Sequence, residues 1–182
     1  MLKIVQITKE NSDNKEIKEL YESSFPREEK LKYEDLFQHY DGIQMDFKAY
    51  YDDEENLVAI YISYVMKKYT YGAFLAVVEK LRGKGYGKKI VLDIIEGAKT
   101  GNIIIGEVES PSQTDAKNLE IRKRRLAFYL RNGVVDTGIH IKDNGVEYTI
   151  VTTTKEPIPE EDIEEITKTL KPLTDKFPTY EE

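Results

Sequence analysis

The run Arg82-Gly83-Lys84-Gly85-Tyr86-Gly87 places three glycines at alternate positions among basic residues. Such a run exposes main-chain N–H groups, and a Cβ there would block both positive φ values and the close approach of an anion. Lys84, Lys88 and Lys89 add full positive charges around the same point. The chemistry implied is phosphate binding, and spacing decides which kind. A dinucleotide fingerprint needs a glycine where Lys88 follows Gly83 and Gly85. A Walker loop needs a glycine at Arg82 and a hydroxyl residue at Lys89. Both readings fall, and the pattern that fits is R-x-x-G-x-G.

A second group of candidates lies downstream. Glu107 and Glu109 are two apart in an apolar strand-like run, so they share one face. Carboxylates at the end of a buried strand are costly if they serve structure alone, and mutual repulsion would raise one pKa into the range of a useful base. Glu109, nearer the strand end, is the first choice for such a base and Glu107 the second; the plainer reading is a salt bridge to Arg122 or Arg125. Glu79, beside the glycine run, is a weaker candidate. Arg122 and Arg125 precede Tyr129 by seven and four residues, on one helical face.

Elements must position these residues. Phe74 to Val78 reads as a strand leading into the glycine run. Ile90, Val91, Ile94, Ile95 and Ala98 give one buried face of the helix that follows, ending near Gly101. A first strand spans Leu2 to Ile7. Ser12 or Asp13 caps a helix carrying Ile17, Leu20 and Tyr21, and Phe25-Pro26 breaks it. A second helix carries Leu36, Phe37 and Tyr40 and ends at Asp41-Gly42. Phe47 to Tyr51 and Leu57 to Met66 read as two strands. Ile103 to Glu109 is another, stopped by Pro111. Thr114 or Asp115 caps a long helix reaching Arg131. A last hairpin pairs Gly133 to Ile141 with Val146 to Thr153 across Asp143-Asn144-Gly145. The expected domain occupies residues 1–155, and an acidic, proline-containing extension, 156–182, carries one docked helix with Ile163, Ile166 and Leu170 inward.

With these elements in order, the chain resembles the GNAT superfamily of acetyl-CoA-dependent N-acetyltransferases. R-x-x-G-x-G is that superfamily's pyrophosphate pattern, and Phe128-Tyr129-Leu130-Arg131-Asn132-Gly133-Val134 is similar to its second signature. The resemblance runs from about Tyr61 to Thr152. It implies an α/β (α+β) fold with a mixed, mostly antiparallel central sheet flanked by helices, and a splayed strand pair that holds the coenzyme. It implies that the main chain of Leu75, Ala76 and Val77 meets the acetyl and pantetheine part, one N–H polarising the thioester carbonyl. Arg82, Gly83, Lys84, Gly85, Tyr86, Gly87 and Lys88 would cradle the pyrophosphate. Tyr129 would stand beside the coenzyme sulfur as a proton donor, and Glu109 or Glu107 would take the proton of a primary amine attacking directly. The acceptor implied is a small molecule or peptide amine. Relatives often carry Asn and a small residue where Arg122 and Arg125 stand; these two would instead bind an acidic group of acceptor or coenzyme. A homodimer is in keeping with the superfamily.

Composition bounds the rest. The chain has 182 residues, 34% charged and 40% hydrophobic, with a net charge of −7. No apolar run approaches the ~20 residues that span a bilayer, and the start shows no signal-peptide pattern, which places the protein in the cytoplasm by default. The acidic balance argues against nucleic acid or anionic membrane as a partner. The absence of cysteine excludes thiolate catalysis and Cys-based zinc sites, and with His39 and His140 far apart no metal is expected. The rival readings are a non-catalytic acyl-CoA-binding or sensing module on the same fold, and a nucleotide-phosphate-binding domain.

Overall fold

The apolar run Leu57–Val65 is a strand buried along its length as far as Tyr64, so other elements must cover both of its faces. In the computed structural model, which describes residues 2–143 and 145–176, this strand lies inside one seven-stranded sheet. The strands are β1 (Lys3–Gln6), β2 (Gln44–Tyr51), β3 (Leu57–Val65), β4 (Tyr69–Val77), β5 (Ile103–Glu109), β6 (Val135–Asp143) and β7 (Val146–Thr152). Their order is β1-β2-β3-β4-β5-β7-β6. Neighbours are antiparallel except β4 and β5, which run parallel. The four α-helices among the described residues are α1 (Lys15–Ser24), α2 (Tyr86–Ala98), α3 (Leu119–Arg131) and α4 (Glu160–Thr174). The fold is the mixed, mostly antiparallel sheet with flanking helices that the sequence implied. No described helix is long and apolar enough to cross a membrane.

Two layers cover the sheet. On one side Ile17 and Tyr21 of α1 and Ile163, Ile166, Leu170 and Leu173 of α4 join Phe47, Ile60, Ile62, Ile105 and Ile150 in the main core. On the other, Ile90 and Ile94 of α2 pack with Val58, Ala59 and Tyr61, while Leu126 of α3 packs with Val108 and Val151. Asp162 ties α4 to the sheet by accepting from the Tyr69 hydroxyl and from Lys68 Nζ at 2.5 Å.

Local chemistry moved three boundaries. Asn14, rather than Ser12 or Asp13, caps α1, its side chain accepting from Ile17 N at 3.2 Å. The apolar residues expected on a second helix form only a 3-10 segment, Tyr33–Phe37; Tyr40 lies beyond it, bridged to Ile43. The third helix starts at Leu119, because Asn118 rather than Thr114 or Asp115 is its cap residue. Asn144 of the expected hairpin turn and residues 177–182 of the expected extension lie outside the described residues.

The β4–β5 register is what positions a site. Pairing begins at Tyr69↔Ile103 and ends at Gly72↔Gly106. Beyond that rung β4 follows β3 as far as Ala59↔Val77, while β5 follows β7 as far as Glu109↔Tyr148. Each strand is held by its outer neighbour, so the two diverge and a gap opens through the middle of the sheet.

Candidate active site

The gap has polar main-chain walls because β4 has no partner there. Val78 N donates to Val58 O at 2.9 Å. Antiparallel ladders alternate, so the bonded pairs are Val58/Val78 and Ile60/Ala76, and the main-chain groups of Leu75 and Val77 turn away from β3 into the gap. Ala76, expected beside them, turns its main chain toward β3. The side chain of Arg82 folds back across the mouth, its Nε donating to Val77 O at 3.2 Å.

At the same end lies the glycine loop. Gly83 and Gly85 have φ of +76° and +84°, and nothing lies within 4 Å of where their Cβ atoms would be. Gly85 is the cap residue of α2 and offers no side-chain acceptor. Among the described residues no main-chain carbonyl takes the N–H of Gly83, Gly85, Tyr86, Gly87 or Lys88. These donors, at the positive end of α2, form a bare cradle for an anion. Gly87 serves packing as well, since a Cβ there would come within 3.2 Å of the Phe128 ring. Lys84, Lys88 and Lys89 are exposed around the cradle. The residues present fit the pyrophosphate of a coenzyme.

Behind the loop the gap widens into a recess of about 110 Å³ lined by Tyr61, Gly72, Leu75, Gly106, Glu107 and Tyr129, among others. Tyr129 enters from the α3 side: it packs with Val108, Leu126 and Val151, and its ring meets Phe128 edge-on at 5.4 Å. Burial raises its pKa while Arg125 opposes the rise, so the phenol keeps its proton at neutral pH. Glu107 enters from the opposite side. It shares a strand face with Ile105, which lies in the main core with α1. The gap therefore brings groups from both faces of the sheet to one recess.

Burial raises the Glu107 carboxyl to about 7, with the Tyr71 hydroxyl pulling it down and Asp143 adding to the rise. The expected repulsion from Glu109 is not the cause. Glu109 instead carries its own cations: Arg122 Nη2 meets its Oε1 at 3.0 Å, and Arg125 Nη1 meets its Oε2 at 2.8 Å. Asn118 Nδ2 donates to the same carboxylate at 3.2 Å. With both oxygens committed to fixed donors, Glu109 is an ion-pair centre and not the free carboxylate expected of it; Glu107 is the one that lines the recess.

Arg122 is corrected with it. Only 5% exposed, it spends Nε on Asn118 Oδ1 at 2.7 Å and Nη1 on Gln113 Oε1 at 3.0 Å and Ser110 O at 3.3 Å. One Nη2 N–H is left over, and the burial of the side chain keeps it from an acceptor or coenzyme. Arg125 is half exposed and joins the network at its rim. Asn118 makes no side-chain cap for α3 because its amide serves this network instead.

The cluster of acidic and phenolic groups beside the recess was not foreseen. Burial and the charges of Glu29, Glu107, Glu109 and Asp143 all raise the pKa of Tyr148, which places four carboxylates around one phenol. Tyr71, likewise raised by burial and by Glu107, is the neighbour of the Glu107 carboxyl. No local spacing announces these residues, because they come from the turn after Pro26, β4, β5, β6 and β7.

The chain matches the model of the acetyltransferase (GNAT) family over residues 14–129. No curated protein matches it. Among solved structures, one from Bacteroides thetaiotaomicron assigned to the GNAT family is 21% identical with a TM-score of 0.72, covering 97% of this chain and 99% of its own. A spermidine N-acetyltransferase variant from Vibrio cholerae is 11% identical with a TM-score of 0.60, covering 83% and 92%. A Bacillus subtilis acetyltransferase in complex with CoA is 18% identical with a TM-score of 0.51, covering 84% and 97%. At these identities the likeness is one of fold.

Proposed function

The chain belongs to the GNAT acetyltransferase family and is an acyltransferase, and from that premise we propose that it acetylates a primary amine by direct attack on acetyl-CoA. One observation carries the reading: β4–β5 pairing ends at Gly72↔Gly106, and the recess so opened is lined by both Glu107 and Tyr129. Acetyl-CoA, when bound, supplies an activated acyl carbon and a thiolate leaving group.

The protein's residues supply the rest. The free N–H groups of Gly83, Gly85, Tyr86, Gly87 and Lys88 hold the pyrophosphate, and Leu75 N–H donates to the thioester oxygen where negative charge develops. Glu29 and Asp143, the carboxylates near Tyr148 that carry no arginine pair of the kind Glu109 has, favour an acceptor that arrives as a cation. Glu107, poised near neutrality, accepts the proton that the amine must lose for its nitrogen to bond to the carbonyl carbon. As the carbon–sulfur bond breaks, the Tyr129 hydroxyl gives its proton to the sulfur, and the second proton that the nitrogen sheds on becoming an amide passes through solvent to the phenolate, restoring Tyr129. Each well-placed proton transfer contributes roughly 10²–10⁴-fold, and the fixed approach of the two reactants contributes further. No covalent enzyme intermediate is needed, in keeping with a chain that has no cysteine.

Calorimetric titration with acetyl-CoA, ATP and NAD, followed by a panel of primary amines monitored by free-thiol release, tests the proposal. Preference for acetyl-CoA and thiol release with some amines are expected. Binding without release on any amine would leave a coenzyme-binding module, and preference for ATP or NAD would remove the acyl-transfer reading.

A further inference from the structure

Tyr61 is 6% exposed, and its hydroxyl makes no hydrogen bond of good geometry, although the Ser63 hydroxyl is near enough to oppose the rise that burial gives its pKa. The ring lines the recess, and its oxygen points at the rung where β4 and β5 part. An added Cβ on Gly72 would lie 3.0 Å from that oxygen. Gly106, across the rung, is also bare of a side chain, and a Cβ there would lie 3.4 Å from Gly72 O. Two facing glycines thus keep the closed end of the recess open, and a lone donor is turned into the space they leave. Burying an unmatched hydroxyl is unfavourable, so the arrangement asks for an oxygen acceptor from a ligand.

Position along the strand says which part of the ligand reaches it. Leu75 is three residues past Gly72, and Ala73 is the extra residue of a bulge between them, which shortens the span of a regular strand to roughly 8–9 Å. That distance accommodates a hydrogen bond of about 2.9 Å at each end with the first three carbons of an acyl chain between them. The acetyl group is too short to reach Tyr61 from Leu75. No Lys, Arg or His lines the recess, while Glu107 does, so an acyl group ending in a carboxylate is disfavoured there.

Resting on the acyltransferase reading above, we infer that the recess has a second acyl subsite: Tyr61, Gly72 and Gly106 receive a short acyl chain bearing an uncharged oxygen on its third carbon. The donor class is a 3-hydroxyacyl or 3-ketoacyl thioester of coenzyme A. Tyr61 donates to that oxygen and so discriminates it from a plain hydrocarbon chain of the same length.

Dissociation constants for acetyl-CoA, butyryl-CoA and 3-hydroxybutyryl-CoA, measured by calorimetry on the full chain, test this without any acceptor amine. The hydroxylated donor is expected to bind roughly three- to tenfold more tightly than butyryl-CoA, the worth of one hydrogen bond between neutral groups. Tyr61→Phe, which keeps the ring, should bring that ratio to about one. Gly72→Ala should weaken both four-carbon donors relative to acetyl-CoA, by filling the space beneath them. A wild-type ratio near one, or a ratio that survives Tyr61→Phe, would overturn the inference while leaving acetyl transfer intact. Failure of all three thioesters to bind would overturn the acyltransferase reading and this inference with it.

Discussion

Replacing Glu107 by Gln keeps the shape of the side chain and removes its charge. Burial raises this carboxyl from 4.5 to about 7 in the folded protein, whereas in the unfolded chain it titrates at its ordinary value of about 4.3. The folded state thus holds the proton more tightly than the unfolded state does. The stability this group contributes is fully present below a pH of about 4.5 and is lost as the pH rises through about 7. A gap of roughly two and a half units corresponds to about 3 kcal/mol. Gln has no proton to lose, so Glu107→Gln should gain up to about 3 kcal/mol over wild type above a pH of about 8 and little below about 5. The weaker hydrogen bond from Tyr71 to a neutral acceptor trims the gain. In a chain of this size that is roughly 6–12 °C in Tm. Thermal melts followed by circular dichroism across this range would show the two curves converging in acid and separating in base. A Tm difference that stays constant with pH would refute the reasoning, because burial would then not be what sets this carboxyl's proton affinity.

Three further outcomes follow from the same geometry. Tyr129→Phe should lower turnover by roughly 10²-fold or more with a much smaller change in coenzyme A affinity; a larger loss of affinity than of turnover would remove the proton-donor role. Arg122→Ala should destabilise the fold by about 3–5 kcal/mol, since it strips a buried partner from Glu109, whereas Arg125→Ala, whose side chain is 48% exposed, should cost under about 1 kcal/mol; denaturant unfolding separates them. Gly85→Ala forces a side chain into φ of +84° at about 1–2 kcal/mol, and calorimetry should show coenzyme A affinity falling about tenfold if that strain is relieved by closing the cradle.

Much of the donor half of the site is legible in the sequence because it is local. A strand, alternating glycines and one helix face occupy Phe74 to Ala98 with no long-range information needed, and the positive φ values of Gly83 and Gly85 follow from that spacing. The gap in the sheet was implied by resemblance alone. Its structural cause, pairing that stops at Gly72↔Gly106, depends on β3 and β7 and has no local mark. The two glutamates show the limit most clearly. Glu107 and Glu109 share residue type, strand and even spacing, and strand position favoured Glu109. What separates them is α3, which brings Arg122, Arg125 and Asn118 to Glu109 alone. Likewise Leu36, Phe37 and Tyr40 have helical spacing, but one turn of apolar residues is too short to hold an α-helix against the pull of the surrounding core.

In the proposed acetyl transfer Glu107, rather than Glu109, takes the amine proton and Tyr129 protonates the departing sulfur. The measurement that tests this most directly is the rate of acetyl-CoA consumption with a responsive primary amine, followed against pH for wild type, Glu107→Gln and Glu109→Gln. The account predicts a wild-type rate that rises through a pH of about 7 as Glu107 loses its proton. That limb should vanish with Glu107→Gln and persist, at lower protein stability, with Glu109→Gln. A limb that survives in Glu107→Gln and disappears in Glu109→Gln would contradict it.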